Sequence, residues 1–573
     1  MAGVKYIKKV GETEPKKPAT TRKAAAVKTE EEKPAANTKA KVTRKAATNG
    51  TAKQAPAAAK KTAAAKTNGA TKAAAPKSKA GRPKKVEDTM NDEADKKPKA
   101  TRKRKASEEP APAPTKKAKV VPKGPVINKA PTQKLDVYVF GEGSSGELGL
   151  GTAKNAIDVK RPRLNPNLSA STVGVVQIAT GGMHVAALTH DNKILTWGVN
   201  DQGALGRDTE WEGGLKDIDD NKSDDSSDDG SDAGLNPLES TPHAIPSDKF
   251  PEGTVFTQVA AGDSTTFALT DDGHVYGWGT FRSNEGIFGF AEGVLVQKDP
   301  ILLTSIKRVT KIACGANHVL ALDADKRVFA WGSGQQNQLG RRVVERTKTQ
   351  GLIPREFGLP KKMVKDVECG QYHSFAIDEK DRVWSWGLNN YGETGISDDA
   401  GEDDAVILKP QVVEELSGKG VITVRGGAHH SIAVTKSGDC LTWGRVDGFQ
   451  TGIAASELNQ DDVVKDARGA IRILKKPAKV TAIKDPVATA SASSDHCIAI
   501  TRNGQAYSWG FSANYQTGLG SDDDTEVATL IDNTAVRGKK LLGAHTGGQF
   551  GILTAAANED IEMTNGTNGV NGS

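Results

Sequence analysis

The sequence predicts an all-β fold: a seven-bladed β-propeller that follows a disordered, basic N-terminal tail. The first observation is a segment that recurs six times within residues 131–555, beginning with IATGGMHVAALTHDNKILTWG at Ile178. The second is that each copy has two short apolar runs around a polar turn, the pattern of a β-hairpin. The third is that a seventh copy is divided between DVYVFG at 136–141 and LLGAHTGGQFGILT at 541–554. A divided repeat predicts a ring that closes by pairing its two ends.

Residues 1–130 differ in composition from the rest of the chain. They contain 35 Lys and Arg against 12 Asp and Glu, whereas residues 131–573 contain 43 against 59. The tail has one aromatic residue, Tyr6, and its apolar residues are mostly alanine. It therefore cannot bury enough surface to offset the cost of ordering its backbone. We expect disorder in residues 1–130 and also in residues 556–573, which end in NGTNGVNGS.

Two segments of the tail indicate a nuclear protein that binds DNA. AGRPKK, with Arg82, Lys84 and Lys85, resembles an AT-hook core, in which Arg-Pro lies along an A·T minor groove. The alternative is a chance Gly-Arg-Pro in a lysine-rich segment, whose lysines would still attract phosphate without regard to sequence. TRKRK and KKAK have the pattern of a two-part signal for a nuclear import receptor. Its basic residues are Arg102, Lys103, Arg104, Lys105, Lys116, Lys117 and Lys119.

The hydropathy of the sequence and the spacing of its cysteines exclude several classes of protein. The chain has no apolar run of the 18 or more residues that a membrane span needs, and its start has no hydrophobic stretch typical of a secretory signal. Cys314, Cys369, Cys440 and Cys497 lie far apart with no CxxC pair, which predicts buried thiols rather than a zinc site or a disulfide framework. We expect a soluble intracellular monomer with no metal and no cofactor.

Each repeat ends in an aromatic residue followed by glycine and, in most copies, by a glycine-rich loop. The aromatic residues lie 53 to 81 positions apart, which leaves room for one four-stranded sheet and its loops per repeat. A solenoid is the alternative, but it gives no reason for half a repeat at each end. The loops, such as GVNDQGALGRDT at 198–209, neither follow a βαβ unit nor open a helix, so they predict tight turns rather than phosphate binding. The aromatic positions are Phe140, Trp197, Trp278, Trp331, Trp386, Trp443 and Trp509.

An acidic insert explains the longest spacing, from Trp197 to Trp278. KDIDDNKSDDSSDDGSD at 216–232 has eight Asp and no aromatic residue, so we expect a solvated, disordered loop over about 212–240. Serines that precede acids in this segment are typical of acidophilic kinase sites, although the loop can equally serve only as a spacer. They are Ser223, Ser226, Ser227 and Ser231.

A histidine recurs at the same position of five repeats. Because each lies on a different blade, no two can share a metal as an i, i+4 pair on one helix would. We expect buried imidazoles bonded to backbone groups. The residue before each histidine differs from repeat to repeat, and a ring of unlike exposed residues is expected at a binding face. The five pairs are Met183 and His184, Asn317 and His318, Tyr372 and His373, His429 and His430, and Asp495 and His496.

The repeats resemble those of the regulator of chromosome condensation family. GVNDQGALGRDT is similar to one signature of that family, and IATGGMHVAAL is similar to the second. The resemblance covers the whole propeller, roughly three quarters of the chain. The founder of the family is a chromatin-bound nucleotide exchange factor for the small GTPase Ran, but the repeats of its members serve diverse roles. Membership alone therefore does not establish exchange activity.

One segment resembles the founder of the family in particular. AAGDSTTFALTDDGHVYGWGTFRSNEGIFGF at 260–290 is similar to the founder's third repeat, in which a short β-wedge contacts the GTPase. Most of the other repeats have a glycine-rich loop at this point. Asn317 and Ser144 stand where the founder has acidic residues, which leaves the exchange rate open. The resemblance implies a wedge at Arg282, Ser283, Asn284, Glu285, Gly286 and Ile287, with further GTPase contacts at Asp263, Asn317, His429 and His184.

Together these features predict a guanine-nucleotide exchange factor for Ran in the nucleus, tethered to chromatin through DNA or histones. It would promote GDP release by stabilising nucleotide-free Ran and would carry out no covalent chemistry of its own. The sequence has no P-loop, no Ser-His-Asp order and no carboxylate pair in a catalytic context. The alternative is a chromatin-associated propeller that recruits proteins without exchanging nucleotide.

Overall fold

The structure is a computed structural model that describes residues 122–212 and 234–557. The chain divides into two units, 1–111 and 112–573, and the described residues all belong to the second. The predicted AT-hook, the import segment, the serines of the acidic insert and the C-terminal tail beyond residue 557 lie outside the described residues. What the sequence predicts for them stays a prediction.

The described chain folds as a seven-bladed β-propeller, which confirms the predicted fold class. Each blade is an antiparallel sheet of four strands, and the first strands line a central channel. The first strands are Val175–Thr180, Phe256–Ala261, Val309–Cys314, Val364–Cys369, Val421–Gly426, Val487–Ala492 and Leu541–Thr546. The second strands are His184–Thr189, Thr265–Thr270, His318–Asp323, His373–Asp378, His430–Thr435, His496–Thr501 and Phe550–Ala556.

The two outer strands complete each blade. The third strands are Ile194–Gly198, Val275–Gly279, Val328–Gly332, Val383–Leu388, Cys440–Arg445, Ala506–Gly510 and Leu135–Glu142. The fourth strands are His243–Ala244, Gln297–Leu302, Arg355–Glu356, Val406–Val412, Ile471–Lys479, Thr525–Leu530 and Asp158–Leu164. Val463–Lys465 adds a fifth strand to one blade, and Phe281–Ser283 and Gly286–Gly289 form a separate two-stranded sheet.

In the part of the chain that the structure describes, helices occupy only short connections. The one α-helix there is Pro237–Ser240. The 3-10 helices are Lys154–Ala156, Pro166–Leu168, Ser247–Lys249, Glu345–Leu352, Glu414–Leu416, Ala455–Glu457 and Gln460–Asp462.

The divided repeat closes the ring. Strand Leu135–Glu142 pairs antiparallel with Phe550–Ala556, from Leu135 opposite Ala556 to Gly141 opposite Phe550. Phe140 takes the place of the tryptophan in this blade and is fully buried. The two ends of the propeller therefore complete one sheet, and this closes the ring.

The buried tryptophans join neighbouring blades. Trp278 Nε1 donates to the carbonyl of Ala204 in the preceding glycine loop at 2.8 Å. In the same loop Gly206 has φ +66°, and a Cβ there would lie 2.8 Å from Trp278 Nε1. Only glycine combines this backbone conformation with this approach. Trp197, Trp386, Trp443 and Trp509 make equivalent bonds.

Four of the five repeat histidines, His184, His318, His373 and His430, also join blades, with a partner that the sequence prediction missed. His318 Nε2 lies 2.7 Å from Ser374 Oγ of the next blade, and that hydroxyl donates to the carbonyl of Gln338 at 2.9 Å. A hydroxyl has one proton, so the imidazole donates and the hydroxyl accepts. The partner is thus a side chain rather than the predicted backbone group, because the residue after each repeat histidine faces the preceding blade. His184 and His373 bond in the same way to Thr266 and Ser431.

Three boundaries between the propeller and the segments predicted to be disordered differ from the predicted ones. Residues 122–130 are ordered: Ile127 N and Asn128 N donate to Asp271 O at 2.8 and 2.9 Å, so the tail predicted to be disordered is shorter than 1–130. The acidic loop is also shorter than 212–240, because Arg207 Nη2 donates to Leu238 O at 2.7 Å in the helix that follows it. At the other end, Ala557 N donates to Lys134 O at 3.0 Å.

Three of the four cysteines are buried, as predicted. They are Cys369, Cys440 and Cys497. Cys314 is only half-buried, because it lies on a first strand and lines the central channel.

Candidate functional site

One blade carries a β-hairpin in place of the glycine loop. Its strands, Phe281–Ser283 and Gly286–Gly289, pair antiparallel around a turn at Asn284 and Glu285. Gly286 has φ +113°, a conformation that L side chains rarely adopt, so glycine suits the end of this turn. The predicted wedge residues therefore form this hairpin. We call residues 281–289 the wedge and the blade of Phe256–Leu302 the wedge blade.

An aromatic cluster anchors the base of the wedge. Phe281 stacks on Phe290, with ring centroids 6.2 Å apart and ring planes 9° apart. Phe267 stacks on both rings and meets Trp331 of the next blade edge-on at 5.7 Å. All four side chains are buried, so the base of the wedge belongs to the hydrophobic core.

The tip of the wedge is exposed and polar. Arg282, Asn284 and Glu285 are exposed, and the apolar Ile287 beside them is 49% exposed. Exposed polar loop residues contribute little to folding stability. The tip is thus free to contact another molecule.

A polar cavity of about 180 Å³ lies beside the wedge. It brings together five of the predicted contact residues, and Tyr372 and Gln335 also line it. Burial raises the pKa of Asp263, and the nearby Arg282 guanidinium partly opposes that rise. A half-buried carboxylate of this kind is a candidate for binding an approaching cation. The five predicted residues are Asp263, Arg282, Ser283, Asn284 and Asn317.

Asn317 makes a contact that its place in the repeat did not reveal. Its Oδ1 accepts a hydrogen bond from the backbone N–H of Arg282 at 2.6 Å. The side chain therefore supports the wedge, and either an amide or a carboxylate oxygen can accept this bond.

His429 belongs to an aromatic cluster on the same face. Its ring centroid lies 4.7 Å from that of Tyr391 and 6.2 Å from that of Tyr372, which also lines the wedge cavity. Its Nδ1 lies 3.3 Å from Glu393 Oε1, a carboxylate with no solvent exposure. Sequence reasoning missed Tyr391, which lies in the glycine loop GLNNYGETGI that was assigned only to turns.

His184 is not available for contact in this structure. Its side chain is 1% exposed and bonds to Thr266, so we remove it from the contact set. Met183, immediately before it, is 46% exposed. Met183 lies in the bend that precedes the strand beginning at His184, so it stays exposed where the histidine is buried.

Within residues 122–212 and 234–557, no three His, Cys, Asp or Glu side chains are grouped as metal ligands. In that same part of the chain, no helix is long and apolar enough to cross a membrane.

The fold and this face define a class of protein: a seven-bladed propeller that presents an anchored wedge beside a polar cavity, an arrangement suited to binding another macromolecule. Residues 136–553 match the RCC1-like domain, and the chain belongs to that family.

Two curated relatives illustrate the similarity. The chain is 42% identical over 441 residues to guanine nucleotide exchange factor SRM1 of Saccharomyces cerevisiae, covering 75% of this chain and 89% of the relative. It is 29% identical over 432 residues to the human regulator of chromosome condensation, covering 73% and 90% of the two chains.

Two solved structures are also similar. Prp20p of Saccharomyces cerevisiae, described with its binding properties to Gsp1p and histones, superposes with a TM-score of 0.68 at 39% identity, over 76% of this chain and 96% of that one. Yeast RCC1 (Prp20) bound to Kap60 gives a TM-score of 0.68 at 38% identity, over 78% and 97%.

Proposed function

We propose that this protein is a guanine-nucleotide exchange factor for the small GTPase Ran and that its N-terminal tail holds it on chromatin. The observation that carries the proposal is the wedge, which replaces the glycine loop in one blade and presents an exposed polar tip beside Asp263. The similarity to SRM1, a guanine nucleotide exchange factor, and to Prp20p, with its binding properties to Gsp1p, supports it.

Exchange needs no covalent chemistry from this chain. An exchange factor binds the nucleotide-free GTPase more tightly than the nucleotide-bound form and so lowers the barrier to release. An acceleration on the order of 10⁵-fold requires about 7 kcal/mol of such differential binding. We assign this differential binding energy to contacts that form fully only when the nucleotide leaves.

The wedge and its cavity provide two kinds of contact for a GTPase. Arg282, Asn284 and Glu285 at the exposed tip can enter the phosphate-binding region of the partner. Asp263, held half-buried behind them, can attract the lysine or Mg²⁺ that the nucleotide phosphates otherwise engage. Ser283, Gly286 and Asn317 shape the hairpin, and His429 with Tyr391 gives a second contact on the same face.

Attachment to chromatin and entry into the nucleus are assigned to the tail. Lysines and arginines around Arg82, Lys84 and Lys85 would bind DNA phosphate and an A·T minor groove, with histones as a further partner. The basic residues of 102–105 and 116–119 would bind an import receptor. The Kap60 complex of yeast RCC1 and the histone binding described for Prp20p support this part of the proposal.

Release of labelled GDP from Ran tests the proposal. The full-length chain at catalytic concentration should accelerate release from Ran but not from an unrelated small GTPase used as the control. A chain that binds nucleosomes yet leaves the release rate unchanged would instead establish the alternative, a recruiting scaffold.

A further inference from the structure

The wedge cannot hold its orientation through its own sheet alone. Its two strands share three pairs of facing residues, Phe281 with Gly289, Arg282 with Ile287 and Ser283 with Gly286. A two-stranded hairpin of this size is marginally stable in water. The aromatic cluster fixes its base, so the question is what fixes its tip.

Side chains of the next blade bind the free edge of the first wedge strand. Arg282 N donates to Asn317 Oδ1 at 2.6 Å, and Asn284 N donates to Gln335 Oε1 at 2.9 Å. These two N–H groups are two residues apart: Arg282 lies in the first wedge strand and Asn284 in the turn that follows it, and both donate to side chains of the next blade. The two amide oxygens thus accept backbone N–H groups of the wedge, as carbonyls of a neighbouring strand would.

Further contacts from the same blade reach the turn. Gln336 Nε2 donates to Asn284 Oδ1 at 3.3 Å, and Lys348 Nζ lies 2.7 Å from Glu285 Oε2. The Lys348 pair is solvent-exposed, and exposed ion pairs contribute little and are screened by salt. The bonds to the wedge backbone are therefore the ones that set its direction.

We propose that Gln335, together with Asn317, is a positioning residue for nucleotide exchange: its amide oxygen holds the wedge at the angle that the GTPase meets. This inference rests on the proposed exchange function and deepens it. The requirement is for an acceptor oxygen at position 335, not for a particular charge, since a carboxylate accepts the same N–H.

The proposal predicts a specific pattern among variants of the full-length chain. Gln335→Leu removes the acceptor for Asn284 N, and with it the longer 3.4 Å bond from Gln335 Nε2 to the exposed Glu285 Oε1, with little change in volume. It should lower kcat for GDP release by about 3- to 10-fold, mainly through the lost backbone bond. KM for the GDP-bound GTPase should change by less than about twofold, because the lost contact orients the wedge in the transition state. Gln335→Glu keeps an acceptor for Asn284 N and should restore most of kcat. Its carboxylate would lie beside Glu285, whose charge Lys348 balances, so the comparison is made at a salt concentration that screens exposed charges. Gln411→Leu, on an exposed outer strand, is the matched control.

Hydrogen–deuterium exchange gives a readout that does not depend on exchange activity. Peptides that contain the Arg282 and Asn284 amides should exchange faster in Gln335→Leu than in the wild type or in Gln335→Glu, at an unchanged melting temperature. Wild-type protein that fails to accelerate GDP release would refute the proposed function but leave this test intact. Unchanged protection and kcat in Gln335→Leu would refute the positioning role. Equal loss of kcat in the leucine and glutamate variants would also overturn it and would point to direct contact of the amide with the GTPase.

Discussion

Acidification should destabilise the propeller through its repeat histidines. Burial lowers the pKa of His184 to about 4 and that of His318, His430 and His496 to about 3, and it lowers the pKa of His373 well below its usual value. These imidazoles stay neutral in the folded protein while the unfolded chain takes up protons below about pH 6.5. The unfolded state then binds more protons, so stability is complete above pH 6.5 and falls as the pH is lowered.

The size of the effect follows from these pKa values. Between pH 7.5 and 5.5, each buried histidine should reduce the free energy of unfolding by about 1.4 kcal/mol, or about 7 kcal/mol for five independent sites. Glu147 opposes this change. Burial raises its pKa to about 7, so the folded state takes up a proton in the same range and regains about 2 kcal/mol. His545, whose pKa burial lowers to about 4, adds about 1.4 kcal/mol to the loss, so the net loss should be about 6 kcal/mol.

Urea unfolding of the full-length chain, followed by tryptophan fluorescence at both pH values and constant ionic strength, measures this difference. His318→Gln keeps an N–H donor for Ser374 but removes the titrating group, so it should shrink the pH difference by about 1.4 kcal/mol. His190→Gln, at an exposed histidine, is the matched control. An equal free energy of unfolding at pH 7.5 and 5.5 would refute the reasoning, as would a pH difference in His318→Gln that matches the wild type.

Three further predictions test the packing, the closure and the tail. Gly206→Ala should lower the free energy of unfolding by about 3 kcal/mol, because the new Cβ meets Trp278. Gly418→Ala is the control: Gly418 has φ +76° and no atom within 4 Å, so the substitution should lower the free energy of unfolding by only about 1 kcal/mol. Equal losses in urea titrations would contradict this account. Deleting residues 541–554 removes the partners of Leu135–Glu142 and should lower the melting temperature of the whole domain in calorimetry, and an unchanged melting temperature would contradict ring closure. Removing residues 1–121 should abolish most DNA affinity in fluorescence titrations at fixed salt while it leaves the ordered residues 122–130 in place; equal affinity in the truncated chain would move the DNA site to the propeller.

Local patterns predicted the architecture because each repeat contains the sequence pattern of its own hairpin and its own aromatic residue. The divided repeat predicted closure, since the two halves at 136–141 and 541–554 are incomplete alone. The position of the wedge was implied by the resemblance of residues 260–290 to the founder's third repeat, and the different loop in this one blade agreed with it.

Contacts between blades could not be predicted, because they join residues that are distant in the chain. Ser374 Oγ accepts a hydrogen bond from His318, 56 residues away, and nothing in the sequence of one repeat indicates that partner. The sequence predicts Asn317 as a GTPase contact that lacks the founder's charge, whereas its hydrogen bond to Arg282 depends on how the next blade meets the wedge. Residues 122–130 share the lysines and prolines of the tail, and only their bonds to Asp271 and Thr270 place them on the propeller.

Stopped-flow release of GDP from Ran, measured for the wild type and for a chain carrying both Arg282→Ala and Asn284→Ala, tests the central claim most directly. Both side chains are exposed, so each substitution should change the free energy of unfolding by no more than about 0.5 kcal/mol and leave the melting temperature nearly unchanged. Exchange should nevertheless slow markedly, because contacts that favour the nucleotide-free GTPase are lost. A double variant that releases GDP at the wild-type rate, or one that loses activity only because it unfolds, would contradict the assignment of exchange to the wedge.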